Sequence, residues 1–543
     1  MARMLEEGTL RPDSFINPSL PLDLALPFVW LQQRAAGAGV LRGNGADPLM
    51  LMRLMSALAG AAAVVVLGRA SRSVHPRLGL WPAVFLALAP GFVNLAHFAT
   101  PEPWLVLGAT VTLALAVSHV RGRTPAWALG LALGLAASTK HTAAALAVPA
   151  LIAVAWRTPG SRRSRSFLVL AAVALGLGLW LQATGVDRLA PRLHLEDPRM
   201  LQASYAFAFL RKLALVLITA GALGIALWAL ARRGVAWAAR VARVEVAVLA
   251  GAALAGLAIG SPYALVDPLS FLSGLAFNDQ TRFEYKGLTG SATSFGPYLG
   301  LLADALTWPL LAAVVLGLAV CTGRALRRDP VALVLGTAFV TPYVLVASSG
   351  HQALRFLAPA LPAAAWLAAL GLAALPARVG VLARGLVTAR AALGALLVAR
   401  LFFVDSRVVA SRWLGTYTAP GATIDLIANA AGYAPTAPAG RTVRMVPTLS
   451  REMAPADRFV EAADRYPAEG AEWLVLTASY YGRFLDHPDQ RPERARFFRD
   501  LLDGRLGYAE AARFRQRGWL RPPAEFLDPE IVVMRKTAQI PTR

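Results

Sequence analysis

The sequence predicts an all-α polytopic membrane bundle of about 12 transmembrane helices, followed by a small C-terminal α/β domain. Three observations carry that reading. The chain of 543 residues is 56% hydrophobic with a mean hydropathy of +0.51, above the roughly 45–50% apolar content of soluble domains. The excess is gathered into blocks of roughly 17–25 residues, the helical length that crosses a ~30 Å hydrocarbon core. The basic residues fall in short clusters between alternate blocks.

The blocks predict spans at 48–68, 80–98, 104–119, 126–139, 142–156, 167–184, 205–231, 244–261, 299–320, 331–348, 356–375 and 381–404. Ala, Leu, Val and Gly dominate them, as in bundles of closely packed membrane helices. Segment 20–31, LPLDLALPFVWL, is apolar but short, with Asp23 and two prolines. It reads as an interfacial or re-entrant helix; if it spans instead, only the side of the N-terminus changes.

The loops set the orientation. Arg69, Arg72 and Arg77 follow the first span, Arg121 and Arg123 the third, and Arg157, Arg162, Arg163 and Arg165 the fifth. Arg232, Arg233, Arg240 and Arg243 follow the seventh, Arg324, Arg327 and Arg328 the ninth, and Arg378 and Arg384 lie by the eleventh. Basic short loops stay in the cytoplasm. The alternate loops then face outward, both termini lie outside, and the chain divides into a transmembrane domain 1–404, with 1–47 as an outer loop, and an extracytoplasmic domain 405–543. In that tail WLVLTA (473–478) and EIVVMR (530–535) read as strands and RPERARFFRDLLDG (491–504) as an amphipathic helix.

The formal net charge of +22 does not mark a nucleic-acid binder, because the arginines are spread over the loops rather than gathered on one domain. Only four of the 54 basic residues are lysines, Lys140, Lys212, Lys286 and Lys536; this usage, with the abundance of Ala and Gly, suggests a GC-rich genome. One cysteine, Cys321, rules out an intramolecular disulfide and a Cys-based metal site. No P-loop, dinucleotide-binding, zinc-protease or nucleophile-elbow motif stands in a supporting context. The N-terminal residues lack the basic region and apolar core of a signal peptide.

Ionisable groups at membrane depth cost ~2.5–3.5 kcal/mol or more and are functional candidates for that reason. Four places qualify, all on the outer side. In HFATPEPW (97–104), Glu102 stands between two prolines beside His97, and a carboxylate on so stiff a turn can take a proton or hold a metal or a sugar hydroxyl; a solvated loop acid is the plain alternative. In ASTKHTAAA (137–145), Lys140 and His141 interrupt a long apolar stretch; the lysine suits a phosphate, or both snorkel to water from a hairpin tip. In GHQALRFLAPALP (350–362), Arg355 can pair a phosphate in bidentate fashion beside His351, or anchor a helix at the interface. In SPYALVDP (261–268), followed by Arg282, Glu284, Tyr285 and Lys286, Tyr263 and Asp267 are candidates, although interfacial tyrosines are common without function. Together these suggest an outward-opening cavity.

The order of these motifs resembles the GT-C glycosyltransferases that use polyprenyl-phosphate sugars, in the branch of the protein O-mannosyltransferases and aminoarabinose-lipid transferases (glycosyltransferase family 39 and relatives). The resemblance runs through ARMLEEGTLRPDSFINPSLPL (2–22), HFATPEPWLVLGATVTLAL (97–115), GLALGLAASTKHTAAALAVPAL (130–151), SPYALVDPLSF (261–271), RFLAPALP (355–362) and DSRVVASRWLGTYTAPGATI (405–424). It implies a GT-C-type bundle in the cell (inner) membrane and inverting transfer of one sugar from a polyprenyl phosphate to an acceptor hydroxyl on a protein, lipid or polysaccharide. Glu102 falls where the family commonly has Asp and is the catalytic candidate. Lys140 matches a recurrent lysine; His97, His141, Tyr263, His351 and Arg355 are substrate-binding candidates. No cofactor is called for, and a divalent metal is left open.

The family also places an acidic pair just after a first helix, a few residues ahead of the stretch matched by ARMLEEG. Glu6 and Glu7 lie on the wrong side of that motif. The expectation is therefore that the chain lacks that helix and its general base and is inactive as it stands, with Asp13, Asp23 and Glu102 as the fallback bases. Two other classes compete: a multi-pass transporter, which predicts inverted repeats and midplane helix breaks that the sequence does not display, and a catalytically inactive membrane scaffold or sugar-binding protein.

Overall fold

The computed structural model describes the chain except residues 1–3, 5–8, 10, 13–15, 43–44, 46, 158–164, 194–202, 234, 242, 281–283, 286–287, 290–293, 351, 429–433, 437, 452–453, 516–526 and 538–543. It separates into two compact units, 1–283 with 291–395, and 284–290 with 396–543.

The first unit is a helical bundle. Each predicted apolar block is helical, and eight helices are long and apolar enough to cross a membrane: Pro48–Val74, Glu102–Val120, Ser166–Arg192, Ser204–Arg232, Trp308–Leu326, Pro330–Ala347, Leu354–Ala373 and Ala377–Tyr417. The others are shorter or broken. Ala126–Ala137, His141–Trp156, Val244–Gly260 and Phe295–Leu306 have 10–17 residues each. The predicted span 80–98 is two helices, Trp81–Leu88 and Pro90–Ala96, parted by Ala89 in extended conformation; a residue before proline is driven out of the helical region. The predicted span 299–320 merges two helices that the structure separates at Thr307, whose φ of 78° ends one before the next begins at Trp308. Residues Leu20–Gly37 form a helix with Pro27 inside it, and it is not among the eight.

Glycine sets the close approach of the helix pair that carries the site. Helices Ala126–Ala137 and Val244–Gly260 meet through Gly130 and Gly134 on one side and Gly256 and Gly260 on the other, both at four-residue spacing. A Cβ on Gly134 would lie 2.0 Å from the Ala253 carbonyl oxygen, and one on Gly256 2.5 Å from that of Leu131. Small residues at this spacing let helix backbones touch, the main source of packing between membrane helices. The contact fixes the end of helix 126–137, which delivers Ser138–Lys140 to the site.

The second unit holds a two-residue hairpin, β1 (Glu284–Tyr285) with β2 (Leu288–Thr289), and a five-stranded sheet. Strands β3 (Thr423–Ile427), β4 (Thr442–Met445), β5 (Trp473–Thr477), β6 (Tyr508–Phe514) and β7 (Ile531–Lys536) stand in the order β4-β3-β5-β7-β6. β3 runs parallel to β4 and β5, and β7 runs antiparallel to β5 and β6. Every residue of β5 is buried because both faces are covered. Leu474 and Leu476 join Phe459, Tyr480, Phe484 and Phe498 on one face, and Trp473 and Val475 join Ala410 and Leu414 on the other. Such strands read as unbroken hydrophobic runs rather than alternating ones, as WLVLT does.

Candidate active site

The up-and-down course of the helices brings the ends of several spans to one level. Helix Glu102–Val120 starts where helix Ala126–Ala137 finishes, so Glu102 and the 138–140 turn share one end of the bundle. That turn is firmly held. Ser138 Oγ donates to the carbonyls of Gly134 (2.9 Å) and Gly256 (3.3 Å), and Thr139 Oγ1 to that of Ala136 (2.7 Å). Lys140 is extended and leads directly into a 3-10 turn over His141–Leu146.

Lys140 Nζ pairs with Glu102 Oε1. Both residues are buried, Glu102 at 2% and Lys140 at 7% exposure. The ammonium also stands 5.0 Å from the centre of the Phe356 ring, whose neighbour Arg355 lies 5.3 Å from the same ring. Two buried charges are tolerated when each satisfies the other; removal of either leaves an uncompensated ion that costs about 3–5 kcal/mol.

A cavity of about 280 Å³ opens beside this pair. Lys140, His141, Thr142, Asn17, Asn278 and Asp279 are among its polar residues, and Phe209, Leu275, Leu345 and Phe356 are among its apolar ones. Glu102 is not in the wall; it grips Lys140 from the other side. A second cavity of about 340 Å³ lies against Pro21, Ala25, Met52, Met55, Thr100, Pro101 and Trp104, and Asn17 borders both. A cavity lined by both apolar and polar side chains, with a buried ammonium among them, suits an amphiphile with a charged head.

The N-terminal segment is strapped over this end of the bundle. Thr9 Oγ1 and Tyr263 Oη share a hydrogen bond of 3.0 Å, and Arg11 pairs with Asp267 at 3.2 Å. Burial raises the Asp267 carboxyl, and its bonds to Ser270 and Arg11 more than offset that, so it sits below its ordinary range. Asn278 Nδ2 donates to the Ile16 carbonyl (2.6 Å), the Ser19 N–H to Ser261 Oγ (3.0 Å), and the Leu20 N–H to the Ser138 carbonyl (3.2 Å).

The candidates therefore sort by position. Glu102, Lys140, His141 and Arg355 come together. Tyr263 serves the N-terminal strap and lines neither cavity, and Asp267 does likewise. His97 is exposed and donates through Nδ1 to the Val93 carbonyl at 2.7 Å. His351, Arg282, Lys286, Glu6, Glu7 and Asp13 lie outside the described residues, as do the side chains of Glu284 and Tyr285. Asp23 is raised by burial, partly offset by a bond from Ser19 Oγ at 2.7 Å. The sequence reading treated Glu102 and Lys140 as separate sites and missed Phe356, Asn17, Asn278 and Asp279; the helix alternation already put TPEP and STKH at one level. Among the described residues no group of three His, Cys, Asp or Glu side chains is placed to hold a metal.

Residues 42–158 match the family model of the dolichyl-phosphate-mannose-protein mannosyltransferases, so the segment that carries both Glu102 and Lys140 bears the likeness already read from its motifs. No curated protein sequence matches the chain. Among solved structures, ArnT from Cupriavidus metallidurans bound to undecaprenyl phosphate is 15% identical, with 98% of this chain and 91% of that chain covered at a TM-score of 0.38. The archaeal oligosaccharyltransferase AglB from Archaeoglobus fulgidus, in complex with an inhibitory peptide and a dolichol-phosphate, is 15% identical, with 84% of this chain and 62% of that chain covered at a TM-score of 0.43.

Proposed function

We propose that this multi-pass membrane protein is a glycosyltransferase that moves a sugar from a polyprenyl-phosphate donor to an acceptor hydroxyl at the extracytoplasmic face. The observation that carries the reading is Lys140, a buried ammonium that lines an otherwise largely apolar cavity and is held from behind by Glu102. An isoprenoid chain matches the apolar wall and a phosphate matches the cation. The match of residues 42–158 to a family named for a dolichyl-phosphate sugar supports the same donor class.

In the transfer, the acceptor oxygen attacks the anomeric carbon, the bond from that carbon to the phosphate oxygen breaks, and the acceptor proton leaves to a base. The departing polyprenyl phosphate gains a negative charge. Lys140 is placed to offset it, and a preorganised cation in a water-poor site acts without reorganisation. Glu102 is in this reading a positioning residue rather than the catalytic group expected from the sequence, because its carboxylate is engaged by Lys140 and lies outside both cavity walls.

The test compares glycans and glycolipids by mass spectrometry in cells with the gene, without it, and with the gene restored as wild type or as Lys140→Met. One sugar-bearing product should vanish on deletion and return only with the wild type. Lys140→Met and Glu102→Gln should each lower transfer roughly tenfold or more, normalised to folded protein, the usual cost of losing a charge-stabilising group. An unchanged product profile on deletion sinks the reading.

A further inference from the structure

The cavity wall next to Lys140 holds two polar atoms that no described residue satisfies. His141 Nε2 and Thr142 Oγ1 are both buried without a hydrogen-bond partner, and both residues line the cavity. A buried polar atom left unpaired is costly, and a pair of them at a cavity is a place where a bound group can supply the partners.

The chemistry of that ligand follows from the state of the imidazole. The His141 ring is fixed edge-on to Phe271 at 5.9 Å, and Nε2 is its nitrogen without a partner. A neutral imidazole with its proton on Nδ1 presents Nε2 as a lone-pair acceptor. Three consecutive side chains thus offer three different functions: an ammonium that donates, a hydroxyl that can donate, and an imidazole that only accepts. An ionised phosphate satisfies the first two and has no proton for the third. A sugar hydroxyl does.

We propose that His141 and Thr142 read the donor head group. Thr142 donates to a phosphate oxygen beside Lys140, and His141 Nε2 accepts from a hydroxyl of the sugar that the phosphate carries. The hydroxyl nearest the phosphate on a glycosyl phosphate is on the carbon next to the anomeric one. The donor class is therefore a polyprenyl-phosphate sugar with a free hydroxyl there, and deoxy or acylated sugars bind less well. This rests on the glycosyltransferase reading above and goes beyond it by naming the residues that distinguish a loaded donor from the bare lipid phosphate.

The experiment measures binding of bare undecaprenyl phosphate and of a panel of undecaprenyl-phosphate-linked hexoses and pentoses to the full chain in nanodiscs. Wild type should bind at least one sugar-bearing lipid about tenfold tighter than the bare one. His141→Leu should abolish that preference. His141→Gln, whose amide oxygen reaches toward the Nε2 position, should restore much of it. Thr142→Val should weaken both classes together. If wild type binds none of these lipids, the glycosyltransferase reading fails and this inference with it. If wild type binds them without any preference for a sugar, or if His141→Leu keeps the preference, the lipid site stands and the inference is overturned.

Discussion

Lys140 shows what a single buried charge demands of its neighbours. Its ammonium is accommodated inside the bundle because Glu102 neutralises it and the Phe356 ring faces it. The two residues are therefore coupled, and their substitutions should not add. Lys140→Met alone leaves the Glu102 carboxylate with no ammonium and should destabilise the folded protein by about 3–5 kcal/mol. The double variant Glu102→Gln with Lys140→Met leaves two neutral side chains and should recover most of that loss in thermal unfolding of the detergent-solubilised protein. Transfer should stay low in the double variant, since the cation for the leaving phosphate is gone. Equal destabilisation of the single and double variants rules out the coupling. Neither the pairing nor its strength was legible in the sequence, where the two residues are 38 positions apart; what the sequence did carry was that each is an ionisable group beside long apolar stretches and so a candidate.

At the scale of elements, Gly130, Gly134, Gly256 and Gly260 govern where that lysine stands. The backbones of helices 126–137 and 244–260 touch through them, and Ser138 at the end of the first bonds the Gly256 carbonyl of the second. Gly134→Leu pushes a side chain into the Ala253 carbonyl and should lower both the yield of folded protein and transfer per molecule. Gly176→Leu, in helix Arg165–Trp180 where a Cβ meets nothing within 4 Å, should do neither. Size-exclusion profiles of fluorescent fusions and product assays check the pair; matching behaviour of the two variants removes close packing as the cause. Helical blocks and their order were readable because length and hydropathy report membrane helices directly. The two breaks were not, because hydropathy runs through them unchanged: Pro90 and Pro309 stood in the sequence as signals, while the left-handed turn at Thr307 falls on a residue with no propensity for it. In the second unit, WLVLT and the helix at Pro492–Leu502 were recognisable. The strand order β4-β3-β5-β7-β6 was not, since parallel pairing joins segments far apart in the chain.

For the whole molecule the outstanding matter is which side each end of the bundle faces, and the chain's composition makes it measurable. Arginines cluster at the ends opposite Glu102, Lys140 and Arg355, and such clusters are retained in the cytoplasm. The site and residues 405–543 are then expected outside. Cys321 is the single cysteine and is buried in helix Trp308–Leu326, so the wild-type chain should give little background with a membrane-impermeant maleimide. Arg496→Cys introduces a thiol at a position 85% exposed on helix Pro492–Leu502, and intact spheroplasts should label it fully. Arg123→Cys, in the exposed turn after helix Glu102–Val120, should label only once the membrane is opened. The two positions test opposite predictions of one orientation, so neither a leaky membrane nor a misfolded variant reproduces the pattern. Labelling of Arg123→Cys in sealed spheroplasts with Arg496→Cys protected inverts the topology, and puts the Lys140 cavity on the cytoplasmic face, where an extracytoplasmic acceptor could not reach it.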